Sequence, residues 1–277
     1  MLFSDEEFSE RFALAMHELD SDEFNAYEFV IQSGGLGKVR ASGVGSCAAK
    51  QLYSLKGEVE TDLMNARYNW SSWMGTAGQE LSAAILRRMG YTVTTVHAAI
   101  VSEHMSGHID GTITGLDLGD EVMLWDSKVR NLFGYRKLAT AGLPFGDPEM
   151  YLQMQWYMGQ LGLKRCMITV HPHDYSSMRN EITRYKVPVH DAIAHRIFIP
   201  FSARSFELAE QRGIAITAAR DLEMMVAREF NPATPADAKF PCGFCPWMSR
   251  CLGDDFERSV NGVLEVPAIP AEWRQAA

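Results

Sequence analysis

The sequence predicts an α/β protein, and three observations carry that prediction. Apolar residues keep helical spacing up to Met89, and the chain then changes to short runs rich in Val, Ile and Thr. Two of those runs are joined by Gly115-Leu116-Asp117-Leu118-Gly119-Asp120, a tight connection of the hairpin kind. Helix signals then return at Asp147-Pro148 and are followed by another apolar run over 165–170, so helices and strands alternate along one stretch of chain.

The elements follow in order. Ser4-Asp5-Glu6-Glu7 has the form of a capping box and opens a helix with Phe8, Phe12 and Ala15 on one face. Gly34, Gly35, Gly37, Gly43 and Gly45 mark a loop, and a short helix starts near Ser46-Cys47 and stops at Gly57. Over 76–89 the residues Ala77, Leu81, Ala84, Ile85 and Met89 share a helical face, with Gly90 as the stop. Strands are expected over 91–96, 107–113 and 121–129. The next helix has proline at its first position and runs from 148 to 161, with Gly162 after it. A buried strand over 165–170, a strand over 196–199, a long helix over 203–230 and a tail rich in Pro, Cys and Trp complete the chain. There is no internal repeat and no linker composition, so one elaborated domain over 1–277 is expected.

With 277 residues, 47% of them hydrophobic, the chain can bury a sizeable core. Its apolar runs are far shorter than the ~20 residues of a membrane span. The segment Met1-Leu2-Phe3-Ser4-Asp5-Glu6-Glu7 is acidic and lacks the basic and apolar regions of a signal peptide, so a cytoplasmic protein is expected. A net charge of −9 argues against a broad phosphate-binding surface. Binding follows the local field, however, and a site for divalent cations must itself be rich in carboxylates.

Such a site is visible. The second strand carries Gly107-His108-Ile109-Asp110-Gly111 and the third carries Trp125-Asp126-Ser127-Lys128. Asp126 and Lys128 are two apart on a strand and so share a face, and strand pairing brings Asp110 beside them. Two carboxylates offer hard oxygen ligands to Mg²⁺ or Mn²⁺, and a lysine beside them suits phosphodiester hydrolysis. An ordinary strand end with a solvated Asp–Lys pair is the plain alternative.

The motif sits on a hairpin preceded by a helix and followed by a helix–strand unit. That arrangement resembles the PD-(D/E)XK nucleases, in particular their RecB-like branch, over about 75–170. The resemblance implies a restriction-endonuclease-like core with a mixed central sheet flanked by helices, here over 75–200, with 1–74 and 201–277 as helical and iron–sulfur segments. It implies metal ligation by Asp110, Asp126 and the Ser127 carbonyl, with Lys128 catalytic. Gln153-Met154-Gln155-Trp156-Tyr157 matches the branch's Gln-x-x-x-Tyr motif through Gln153 and Tyr157, which share a helix face and are expected to orient the site and touch DNA. Where the branch often has a histidine on the helix before the strands, this chain has none and offers Glu80.

Five cysteines in a chain expected to be cytoplasmic read as metal-binding or redox-active. Cys242, Cys245 and Cys251 form C-x₂-C-x₅-C, which fits zinc or an iron–sulfur cluster completed by a fourth ligand, either Cys47 or Cys166. Cys47 opens a helix, where amide dipoles favour a thiolate, and Cys166 sits in an apolar strand and reads as core. One N-terminal cysteine, a RecB-like core and C-x₂-C-x₅-C together resemble the iron–sulfur nucleases, which include CRISPR-associated RecB-like exonucleases and phage relatives. The resemblance implies a four-iron four-sulfur cluster on Cys47, Cys242, Cys245 and Cys251 that pins the chain ends together. It also implies DNA, single-stranded or with free ends, as substrate, exonuclease with some endonuclease capacity, and either a homo-oligomer or partners in recombination or CRISPR adaptation.

Lys128, Arg130, Arg136 and Lys137 around Tyr135 suggest either a phosphate-binding loop for a single strand or a plain solvated loop. His104 and His108 are candidate metal ligands or lining, and His171-Pro172-His173-Asp174 reads as a surface turn. The competing functional class is a catalytically silent nucleic-acid-binding iron–sulfur adaptor, and the third is an electron-transfer protein supported by the cysteines alone.

Overall fold

The computed structural model describes residues 3–18, 37–57, 66–94, 97–172, 194–227, 229–230, 245, 251 and 261–274. Its elements are α1 (Asp5–Glu18), β1 (Val39–Arg40), α2 (Ala48–Leu55), α3 (Ala66–Met89), β2 (Thr92–Thr94), β3 (Ala99–Val101), β4 (Met105–His108) and β5 (Gly111–Thr114), then β6 (Met123–Arg130), α4 (Leu132–Ala141), α5 (Pro148–Leu161), β7 (Arg165–Pro172), β8 (His195–Pro200), α6 (Ala203–Asp221), β9 (Met225–Val226), β10 (Val263–Leu264) and α7 (Ala271–Arg274).

The main sheet is five-stranded and mixed, in the order β2-β5-β6-β7-β8. β5 lies antiparallel to both β2 and β6, β6 runs parallel to β7, and β8 returns antiparallel. A parallel pair needs a long crossover, and α4 and α5 supply it. Alternation along the strands splits the core between two faces. Val93, Ile113, Met123, Trp125 and Met167 pack with α1 and α3 on one side. Leu124, Cys166, Ile168, Val170, Ile197 and Ile199 pack with residues of α4, α5 and α6 on the other. The expected mixed α/β sheet with flanking helices is what forms.

Local signals explain most boundaries. Ser4 Oγ accepts the Glu7 amide at 3.1 Å, and Phe8, Phe12 and Ala15 are buried as the α1 pattern implies. Asp147 caps α5 through the Met150 amide at 3.0 Å, Pro148 leads it, and Gly162 ends it at φ 68°. Four expectations are corrected. The strand expected over 107–113 is two strands in two sheets, since β4 pairs with β1 and β3 while β5 joins the main sheet. The expected loop after Lys128 becomes α4, because Asn131 accepts the Gly134 amide at 2.8 Å and caps a helix there. Tyr135 is thereby buried in the core instead of lying in an exposed phosphate-binding loop. The helix expected over 203–230 ends at Asp221, after which Glu223 takes φ 55° and the chain enters β9. His171 is no surface turn either: it lies in β7, buried against Phe12, with ring centroids 4.9 Å apart. Among the described residues no helix is long and apolar enough to cross a membrane.

One buried ion pair ties α1 to the sheet. Asp117, in the β5–β6 connection, and Arg196, on β8, meet at 2.7 Å with side chains 0% and 1% exposed. Arg196 also donates to the Phe3 carbonyl at 2.8 Å, the Phe3 amide donates to Asp117 at 2.6 Å, and the Tyr91 hydroxyl donates to it at 2.5 Å. Burial pushes the Asp117 carboxyl up, but these donors outweigh it and hold it below the ordinary carboxylate value.

A carboxylate with a depressed folded pKa stabilises above its unfolded pKa, and that contribution is lost as pH falls through the folded one. Denaturant titrations should therefore show acid weakening of the wild-type protein that is shallower in Asp117→Asn. That variant strands the buried guanidinium and should cost about 3–5 kcal/mol at neutral pH. A loss below about 1 kcal/mol would make the pair equivalent to a surface contact.

Candidate active site

The site forms where the sheet parts. Gly111 pairs with Trp125 as the last β5–β6 partners, and beyond them β6 keeps only β7 beside it. On the vacated side the Ser127 amide donates to Asp110 Oδ2 at 2.8 Å, so a carboxylate replaces the missing strand. Gly111 permits this corner, because a Cβ there would lie 2.9 Å from the Thr94 carbonyl oxygen and 3.2 Å from the Trp125 ring. Asp126 and Lys128 project together from β6, and Lys128 Nζ stands 2.6 Å from Asp126 Oδ2 and 4.0 Å from Asp110 Oδ2. The ammonium is also 3.5 Å from the Ser127 carbonyl oxygen, which therefore faces the same space. Sequence spacing and structure agree on this grouping.

The electrostatics are those of a crowded anionic pocket. Burial and the neighbouring Asp126 carboxylate push Asp110 up to about 7, against the pull of Lys128, the Ser127 amide and His97. Burial alone would lower the Lys128 ammonium, but Asp126 and Asp110 together hold it above its ordinary value. Asp126 Oδ2 is buried with no well-directed hydrogen-bond donor, the Lys128 contact being an ion pair rather than an aligned bond. A buried carboxylate oxygen met only by an ammonium out of line for a hydrogen bond, a second carboxylate beside it and a carbonyl facing the same space suit a hard cation that keeps several of its waters. Among the described residues no three His, Cys, Asp or Glu side chains stand close enough to chelate a metal by themselves.

Helix α3 supplies groups that sequence spacing did not resolve. Gln79, rather than Glu80, reaches Asp110, donating to Oδ1 at 3.0 Å. Glu80 instead meets His97 Nε2 at 2.5 Å. His97 is half-exposed, holds φ 60° and lies close enough to Asp110 to favour its charged form. Nothing in the pattern around residue 97 marks it as a site residue; its left-handed backbone is the signal, and only the structure carries it.

From α5, Gln153 Nε2 donates to the Tyr157 hydroxyl at 3.3 Å, so the two motif residues do meet. Tyr157 is 1% exposed and rests against Trp156, which removes it as a base-stacking ring. Burial pushes its hydroxyl up to about 12. Gly107 makes room for it, since a Cβ at that position would lie 2.3 Å from the Tyr157 oxygen. Tyr157 thus holds β4, the strand that leads into Asp110. Arg130 bonds Asp147 Oδ2 at 3.1 Å and braces the end of β6 against α5. His108 is exposed and His104 lies 3.8 Å from Glu103; neither joins the carboxylates.

The cysteines are partly described. Cys166 is wholly buried in β7. Cys47, Cys245 and Cys251 all pack against the core on the α5 side of the sheet, and Cys47 lies near enough to Cys251 to feel its charge. Burial is the main reason the Cys47 thiol is pushed up. Cys242 and His173 lie outside the described residues.

No family model matches the chain, and no curated protein matches it. Solved structures of similar shape include an alkaline exonuclease, LHK-Exo, from Laribacter hongkongensis, with TM-score 0.48 and 21% identity over 67% of this chain and 89% of that one. A phage-related exonuclease from Haemophilus somnus 129PT gives TM-score 0.47 and 13% identity over 66% of this chain and 93% of that one. A protein designated SSO0001 gives TM-score 0.41 and 11% identity, covering 88% of this chain and 95% of that one.

Proposed function

We propose that this chain is a metal-dependent deoxyribonuclease of the PD-(D/E)XK type, acting on DNA with single-stranded or free ends as an exonuclease. The observation that carries this reading is the convergence of Asp110, Asp126 and Lys128 where β5 leaves β6. Asp110, Asp126 and the Ser127 carbonyl would hold Mg²⁺ or Mn²⁺, and Glu80 would act on the set only through its contact with His97. When bound, such an ion polarises a phosphate and lowers the pKa of its water. Lys128, kept protonated between two carboxylates, is suited to stabilise the negative charge of the reacting phosphate rather than to take a proton. Gln79 donates to one oxygen of the Asp110 carboxylate and the Ser127 amide to the other, while Gln153 and Tyr157 bond each other on α5.

Incubation of end-labelled single- and double-stranded DNA with the protein and Mn²⁺ tests this. Wild type should shorten the label from an end, EDTA should stop it, and Lys128→Ala or Asp110→Ala should each lose the activity while remaining folded. Either variant cutting at the wild-type rate, or wild-type cleavage that persists in EDTA, would remove the proposed chemistry.

We also propose a four-iron four-sulfur cluster on Cys47, Cys242, Cys245 and Cys251. The packing of Cys47, Cys245 and Cys251 on one apolar core supports it, as does the complete burial of Cys166 within β7, which leaves Cys47 as the better fourth ligand. Anaerobically purified protein should hold about four irons per chain. Cys47→Ser should lose them and Cys166→Ser should keep them; the reverse pattern, or zinc in place of iron, overturns the assignment.

A further inference from the structure

A continuous polar chain runs behind β6, on the face away from Asp126 and Lys128. Ser127 Oγ donates to Ser82 Oγ on α3 at 2.9 Å, and Ser82 Oγ lies 2.9 Å from His171 Nε2 on β7. Ser82 also donates to the Gly78 carbonyl at 2.6 Å. The Ser82 hydroxyl has one proton, given to Gly78, so it accepts from both Ser127 and the imidazole, which places the His171 proton on Nε2. Ser82, Ser127 and His171 are 2%, 2% and 6% exposed, so this polar chain has been taken out of water and its bonds are made inside the protein.

The helix is seated closely enough for these bonds by Gly78, where a Cβ would fall 2.3 Å from Val129 Cγ2 on β6. Serine at 127 is therefore gripped twice. Its amide is held in front by Asp110, and its hydroxyl is held behind by Ser82. In a strand, the amide and carbonyl of one residue point to the same edge, so fixing the residue from both sides fixes the direction of its carbonyl.

We propose that Ser82 and His171 are positioning residues that hold the Ser127 peptide so that its carbonyl stays aimed at the cation. This rests on the metal-dependent reading of Asp110, Asp126 and Ser127 above. An apolar core would close the space between α3, β6 and β7 at less cost than two serines and a histidine that must all be satisfied. A chain ending on a candidate ligand is the arrangement by which outer groups orient a metal's inner ones.

The test is a Mn²⁺ titration of the intact protein, followed by the electron paramagnetic resonance signal of the free ion, with melting temperature measured alongside. Ser82→Ala, Ser127→Ala and His171→Leu should each weaken Mn²⁺ binding by about 10–100-fold. His171→Gln, which can still donate to Ser82, should recover most of the loss. Ser127→Ala leaves the backbone ligand and both carboxylates in place, so it keeps the test alive where His171→Leu fails to fold. Lower melting temperatures with unchanged Mn²⁺ affinity in the folded variants would make the chain a purely structural brace and overturn the proposal. Absence of Mn²⁺ binding to wild type would instead overturn the metal-dependent reading itself, and the positioning role with it.

Discussion

A β-strand that loses its neighbour partway along must find other partners for its amides, and at Ser127 that partner is the Asp110 carboxylate. The site depends on this substitution. Had β5 continued along β6, the Ser127 amide and carbonyl would be spent on a sheet ladder and no cavity would open beside Asp126. Two glycines permit the departure. Gly111 lets the chain turn against Trp125, and Gly107 lets β4 run over the Tyr157 hydroxyl. Asp110 sits between them, so the bend that opens the site also delivers its first carboxylate.

That delivery works against electrostatics. Asp110 and Asp126 repel each other in a place with little water, which is why Asp110 is pushed up to about 7. Lys128 relieves part of the repulsion, at 2.6 Å from one carboxylate and 4.0 Å from the other. It leaves Asp126 Oδ2 without an aligned donor. A protein selected only for stability would replace such a group with apolar side chains. A second positive charge entering the pocket would offset part of the remaining repulsion, which is the physical basis of the cation site proposed above.

Much of this was legible in the sequence because it follows local rules. The Asp147-Pro148 start and Gly162 stop of α5, the Ser4 cap of α1 and the pairing of Asp126 with Lys128 on one strand face all follow from spacing and capping chemistry. What could not be read depends on approach between distant segments. The 107–113 run alternates as one strand, and its break at Ile109-Asp110 falls between two glycines where any Cβ would meet Tyr157 on one side and Thr94 and Trp125 on the other. Whether Gln79 or Glu80 faces Asp110 depends on the rotation of α3, which packs so closely on β6 at Gly78 that a Cβ there would meet Val129. The burial of Tyr157 and His171 has the same origin, since a helix–strand pattern shows which residues are apolar but not which polar groups the neighbouring elements will cover.

The chain's far ends are held by buried arginines, and this bears on what a metal cluster would have to do. Arg212, wholly buried on α6, donates to the Val44 carbonyl at 2.7 Å, the Ser46 carbonyl at 2.8 Å and the Pro267 carbonyl at 2.5 Å. It also pairs with Glu229 at 2.8 Å, and Glu229 accepts the Ala48 amide at 2.7 Å, capping α2 next to Cys47. The segment around Pro267 is thus brought to the loop bearing Cys47 by one guanidinium. Fixing that approach in ordinary hydrogen bonds would lower the entropy that assembly of the proposed cluster has to overcome. A cluster at Cys47 would then form on a loop that the same guanidinium already holds to the segment around Pro267.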